Sequence, residues 1–440
     1  MLTQFRVIAL SLSLLSGLTA CGGSSDKNED ETNYAQSYLQ FYHGATSLEP
    51  VQLQVNHHQP SQLSLGQASS LRTLDATEHE FSLTTVQSQQ QLLKASMALT
   101  SGYKHLMILT EQEGEPELLA VEFDRNTSLD QQFMLTLTNL SVQFPELDIH
   151  LVKADQSLSE AELQETLSPF EVAYPNDKLA RGYYSVYLTK PGQQQVEFQS
   201  QNFHFQYNST YSLIIRDLPG PLTDQLVIDV VLNSSATEQL QHRQAPAQFR
   251  LFNSMQPIQV LLDQEPLQAL EHAELSNYTL LPQGDYQLTV RDMEGNSILE
   301  NQLLSLQQGQ SKVMVLFQDR TGAARNLQYI EPNRPQQHQH DVTVVNLNET
   351  FDELNLYFVR ADETIHSAHY KVQKLAIGKQ QQIRIPSSQI SLALTAITSQ
   401  GNELLLEKTA PMTLQQGQHY LISLEHDPAS PNDVKLQLLH

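Results

Sequence analysis

Leu147-Asp-Ile-His-Leu-Val-Lys-Ala-Asp155 and Leu354-Asn-Leu-Tyr-Phe-Val-Arg-Ala-Asp362 lie about two hundred residues apart in this 440-residue chain and match almost position for position. In both, apolar side chains recur two residues apart, as a strand with one buried face requires. Each is preceded by another short alternating run that ends on a polar residue: Leu135-Thr-Leu-Thr-Asn139 and Val342-Thr-Val-Val-Asn346. The same two-strand opening occurs twice more. Leu39-Gln-Phe-Tyr-His43 leads to Val51, Leu53 and Val55, and Phe249-Arg-Leu-Phe-Asn253 leads to Ile258, Val260 and Leu262. The four openings are roughly 95 to 115 residues apart, so the chain reads as a degenerate repeat.

The later half of each unit supports the same division. Tyr187-Leu-Thr-Lys-Pro-Gly192, Val290-Arg-Asp-Met-Glu-Gly295 and Ala396-Ile-Thr-Ser-Gln-Gly401 run from a strand into a turn, while the first unit has Gln-rich residues 87–91 there. Gly102, Asn208, Gly309 and Gly417 then mark a further turn, and left-handed backbone is expected at all four. Strongly apolar strands follow at residues 106–109, 213–215, 313–317 and 421–424. Units of this length, with many short strands and frequent turns, predict an all-β chain of four tandem immunoglobulin-like antiparallel β-sandwich domains. The expected domains are residues 36–126, 132–233, 247–332 and 341–440, joined by polar or Pro-containing linkers at 124–132, 234–245 and 332–340. One short helix is expected at residues 158–167, with Ser159 as its cap and Glu160 and Glu162 in its first turn.

The third unit carries motifs beyond its strand pattern. Phe249-Arg-Leu-Phe-Asn253, Pro257-Ile-Gln-Val260, Leu281-Pro-Gln-Gly284-Asp-Tyr286 and Leu306-Gln-Gln-Gly309-Gln310 resemble those of domain-of-unknown-function family 4397. The first unit keeps Phe41-Tyr-His43-Gly-Ala45 and Pro50-Val51. This resemblance implies tandem sandwiches in an exported bacterial protein and brings no catalytic residues. The family's A-S-P-D-A-P turn is missing throughout, and units two and four keep mainly the strand pattern.

The first 35 residues concern location. Residues 1–20 hold Arg6, an apolar stretch from Val7 to Leu15 and then Leu18-Thr19-Ala20, directly before Cys21, the only cysteine. That order reads as a secretory signal, and its end resembles the lipobox of bacterial lipoproteins. The resemblance implies a diacylglyceryl group and a further fatty acyl chain, such as palmitate, on Cys21 after cleavage. The bilayer would then be a partner through a durable anchor, because several acyl chains hold where one does not. Gly22 in place of Asp implies sorting to the outer membrane. Residues 21–35 are small, polar and acidic and read as a flexible tether.

Chemistry is sparse in the sequence. The net charge of −24 argues against nucleic acid as a partner, and one cysteine excludes a disulfide framework or a Cys-based zinc site. No nucleophile elbow, phosphate loop, dinucleotide fingerprint or His-Glu-x-x-His motif is present, so no catalytic residue, metal site or cofactor is assigned and the chain reads as a nonenzyme. His57, His58, His338 and His340 read as loop residues. Glu160, Glu162 and Glu165 read as a solvated face, and Asp124, Asp130, Asp217 and Asp224 match no calcium motif. The expected function is a noncatalytic envelope lipoprotein that binds or scaffolds a protein or glycan. The alternative is a small-ligand, glycan or calcium-binding module, distinguished by a concave polar pocket.

Overall fold

The computed structural model describes residues 35–440 apart from Pro60, Gln87, Asp155, Thr223, Asp224, Pro335, Gln337, Ser399 and Pro431. The signal segment, Leu18, Thr19, Ala20, Cys21 and the tether to residue 34 lie outside the described residues. The architecture is all-β, with eight sheets that form four two-layered sandwiches in tandem. One topology repeats in all four. In the first, the opening strand Gln36–His43 lies between Arg72–Asp75 and Tyr103–Gln112, with Glu115–Asp124 beyond. The facing sheet orders Ser61–Leu63, Val51–Val55, Glu78–Thr85 and Gln91–Ala98. We call the sheet holding the opening strand the inner sheet and its partner the outer sheet.

The sheets are antiparallel except at one pair per sandwich. Each opening strand runs parallel to the strongly apolar strand late in its unit, which is Tyr103–Gln112, Thr210–Asp217, Ser311–Gln318 or Tyr420–His426: Leu39 lies opposite His105, Leu135 opposite Tyr211, Arg250 opposite Val313 and Val344 opposite Ile422. Local alternation is the same for either direction, so the strand pattern in the sequence does not distinguish this parallel pair from the antiparallel pairing expected throughout.

The polar residue that closes each opening strand has a defined task. His43, Asn139, Asn253 and Asn346 are all fully buried. Asn139 Nδ2 donates to the Leu167 carbonyl of the outer sheet at 3.2 Å, and its Oδ1 accepts from Ser141 N at 3.0 Å. Asn253 makes the same bonds with Leu270 O and Met255 N, and Asn346 with Leu375 O and Asn348 N. One side chain thus satisfies backbone groups of both layers where the chain leaves the sheet. His43 instead places Nε2 at 3.2 Å from the Glu49 carbonyl. The Leu-x-x-Gly-x-Tyr stretch is likewise explained: Tyr286 Oη donates to the Pro282 carbonyl at 2.8 Å, and Tyr184 Oη to the Ala180 carbonyl at 2.7 Å.

The inner sheets carry apolar side chains on both faces, and such a sheet has to be covered twice. In the first sandwich Met107 and Leu109 enter its own core, whereas Tyr42, Leu106 and Ile108 pack against Leu140, Ile214 and Val231 of the second. The third and fourth sandwiches repeat this arrangement through Phe252, Val313 and Val315 against Val345, Leu347 and Leu421. Each fully buried aliphatic side chain of this size contributes about 1.5 to 3 kcal/mol. Two back-to-back pairs result. Contacts between the second and third sandwiches include polar ones, such as Gln201 Nε2 to Gln308 Oε1 at 3.1 Å.

Three local expectations are corrected. Residues 158–167 are not a helix: Leu158–Glu160 is a single 3₁₀ turn, and Glu162–Leu167 is an edge strand paired with Leu147–Lys153. Ser157, not Ser159, begins that turn, because Glu160 Oε2 accepts from Ser157 N at 2.9 Å. Residues 234–245 are not only a linker, since Glu238–Gln241 pairs with Leu226–Val231 and widens the second inner sheet. Gly102, Gly309 and Gly417 have the expected positive φ, but Asn208 does not; there Ser209 N bonds back to Tyr207 O at 3.0 Å and forms a different turn.

Candidate ligand-binding cleft

The first pair is locked by charge as well as by apolar contact. Arg216 lies on the strand Thr210–Asp217 of the second sandwich, and Asp229 lies on the strand beside it. Arg216 Nε meets Asp229 Oδ2 at 2.7 Å with both side chains buried. Tyr42 of the first sandwich donates its hydroxyl proton to the same carboxylate. Burial acts to lower the Arg216 pKa, but Tyr42 and Asp229 outweigh it and raise it. Burial, followed by the Asp229 charge, pushes the Tyr42 hydroxyl well above its ordinary value. Gly66 is needed against this cluster. Its φ of +77° disfavours a side chain, and a Cβ there would lie 2.8 Å from the Arg216 guanidinium.

Towards the other end of the same strands, the two sandwiches open into a cleft of about 600 Å³, within the usual range for small-ligand sites. Its walls come from three separated segments and include Phe123, Arg125, Tyr207, Asn208, Asn233 and Ser234. The Arg125 guanidinium carbon lies 4.0 Å from the centre of the Tyr38 ring, a cation–π contact, and makes no ion pair among the described residues. Behind the wall is Lys104, fully buried, whose Nζ donates to the Leu232 carbonyl at 2.5 Å and to Asn233 Oδ1 at 3.4 Å. Burial, and then the nearby Arg125 charge, bring the Lys104 ammonium down to about 7. The Phe123 ring lies 5.5 Å from the same nitrogen.

The residues weighed from sequence do not assemble into a site. His57 and His58 lie in an exposed turn, and His338 and His340 part company at a strand start. His340 is buried, with Nε2 at 2.8 Å from Ser387 Oγ. Glu160 is used in its own turn, while Glu162 and Glu165 are exposed along an edge strand. Asp124 Oδ1 accepts from Asn126 N, and Asp217 receives bonds from Ser141 Oγ and Val142 N. Asp130 is exposed, whereas Asp224 lies outside the described residues. Among the described residues, no group of three or more His, Cys, Asp or Glu is placed to hold a metal ion.

Sequence reasoning passed over Lys104, Arg125, Arg216 and Arg250. The available signal was a cation inside an apolar run, as in Lys104-His-Leu-Met-Ile and Leu213-Ile-Ile-Arg216.

Fold and cleft together define a chain of tandem β-sandwiches with a groove of mixed polar and apolar lining between the first two. Residues 37–150 match the family model described as Domain of unknown function (DUF4397), a stretch that covers the first sandwich and the opening of the second. The resemblance expected from the motifs of the third unit is therefore found, with its match on the first. No curated protein matches the chain. Among solved structures, the Bacillus anthracis TIE protein is similar over 89% of this chain and 68% of its own, at 10% identity and a TM-score of 0.15, a superposition too loose to bear on function.

Proposed function

We propose that this chain is a noncatalytic lipoprotein of the bacterial outer membrane, held through acylated Cys21, that binds or scaffolds a protein or glycan of the envelope. The observation that supports this reading is the back-to-back packing of the inner sheets. It consumes the same face of all four repeats and presents their outer sheets and loop ends outward. Leu303, Leu404 and Leu405, on the outermost strands of the third and fourth outer sheets, are exposed and suit a protein contact. Cross-linking in intact envelopes followed by capture of the chain tests this. A discrete partner lost on Leu404→Lys and Leu405→Lys supports scaffolding, and an unchanged profile overturns it. Labelled fatty acid incorporated into wild type but not into Cys21→Ala supports the anchor, and equal labelling of both overturns it.

The cleft between the first two sandwiches favours a second reading, a small-ligand module, because it is concave and carries side-chain amides, hydroxyls and a guanidinium that has no ion-pair partner among the described residues.

A further inference from the structure

Resting on that second reading, we propose that the cleft takes a carboxylate-bearing saccharide, with the carboxylate on Arg125. The protein as a whole repels anions, since 49 acidic residues oppose 25 Lys and Arg. Arg125 is an exception to that field. Its guanidinium is stacked on Tyr38, has no carboxylate partner among the described residues, and lines the cleft. Stacking fixes the plane of the planar fork while leaving its edge N–H groups free, the state in which arginine binds a carboxylate bidentately. Lys104 lies behind the same wall and adds a second basic group near Arg125. Asp124 is the acid in the lining, and its Oδ1 is already used by Asn126 N.

The remaining lining argues for a sugar over a simple organic anion. Asn208 supplies an amide that can donate and accept, Asn233 keeps its Nδ2 donor beside the Oδ1 that Lys104 uses, and Ser234 Oγ, which donates to the Ala236 carbonyl at 3.3 Å, can still accept, so both halves of a ring hydroxyl's bonding are met. Phe123 and Tyr207 supply ring faces for the C–H face of a pyranose. Tyr207 is 55% exposed, so its face is open to a ligand.

The test is calorimetric titration of the full-length chain in detergent with digalacturonic acid, with the neutral disaccharide lactose and with an acetylated dipeptide bearing a free C-terminal carboxylate. The variants are Arg125→Gln and Ser234→Trp, the latter placed to fill the groove from an exposed position. Digalacturonate should bind at least tenfold more tightly than lactose or the dipeptide, and Arg125→Gln should reduce its affinity at least tenfold. Equal binding of lactose, preference for the dipeptide, or indifference to Arg125→Gln overturns the ligand class. If Ser234→Trp still abolishes whatever binding is seen, the cleft remains a ligand site of another class. Absence of binding by all three probes, or binding unaffected by Ser234→Trp, overturns both the ligand class and the ligand-site reading.

Discussion

Arg250 Nη2 and Glu331 Oε1 meet at 2.6 Å, both side chains buried, where the third sandwich packs on the fourth. Arg250 also donates to the His419 carbonyl of the fourth sandwich at 3.1 Å, and Glu331 Oε2 accepts from Tyr278 Oη and Ser311 Oγ, each at 2.9 Å. The first pair places Arg216, Asp229 and Tyr42 on the corresponding face. Each apolar interface therefore contains one buried ion pair whose hydrogen bonds fix how the two sandwiches align. Such a pair adds little net stability over an apolar substitute, but breaking it on one side is costly.

Asp229→Ala should destabilise the first pair by about 3 to 5 kcal/mol, because it leaves the Arg216 charge buried and the Tyr42 hydroxyl without its acceptor. Replacing both partners, as Arg216→Met with Asp229→Leu, should cost clearly less than the single change. Denaturant unfolding of the three proteins measures the difference, and a double variant no better than Asp229→Ala would count against the ion pair as the cause.

Asn346→Ala should cost about 1 to 3 kcal/mol, since the Leu375 carbonyl and the Asn348 N–H lose their buried partner together. Asn346→Asp should not restore it, because a carboxylate cannot donate to Leu375 O. Equal stability of Asn346→Asp and wild type would show that the donor half of the clasp is idle.

Leu288 is fully buried in the third core and lies opposite Leu262 in the outer sheet. Leu288→Ala should cost about 2 to 5 kcal/mol, measured as a shift in the unfolding midpoint. A loss below about 0.5 kcal/mol would place that side chain on the surface.

His43 gives the fold an acid limit. Burial, chiefly, with Arg216 acting in the same direction, lowers its pKa from 6.5 to about 4. Between those values the unfolded chain binds a proton that the folded chain refuses, so stability rises with pH across the window and falls as pH drops from 6.5 towards 4. The loss should reach about 3 kcal/mol at the acid end. His43→Asn, which installs the residue used at the other three positions, should reduce this slope in the melting temperature measured against pH, with His340 and His419, also lowered by burial, keeping their share.

Limited proteolysis should cut first near residues 126–131, between the last strand of the first sandwich and the opening strand of the second. Residues 234–241 should resist. Glu238–Gln241 is paired in the second inner sheet, and Thr237 Oγ1 donates to the Gly66 carbonyl at 2.7 Å. Early cleavage at Thr237, detected by mass spectrometry, would mean that this strand is not held.

The alternation from Leu147 and from Leu354, and the polar ends at His43, Asn139, Asn253 and Asn346, determined the all-β class and the repeat, because the facing of neighbouring side chains is a local property of a strand. Residues 158–167 depart from the expected helix for a related reason: Ser157 and Glu160 do form a one-turn cap, but what continues it depends on the edge of Leu147–Lys153 waiting to pair. What covers the second face of each inner sheet was decided only by tertiary packing. Leu106 and Ile108 announce that some cover is needed, yet Ile214 and Val231, more than a hundred residues on, supply it. The cleft is of the same kind. Arg125, Asn208 and Asn233 come from three segments with no mutual spacing rule, and their convergence follows from the docking of two sandwiches, an arrangement set by long-range burial and by the Tyr42–Asp229 contact rather than by any local pattern.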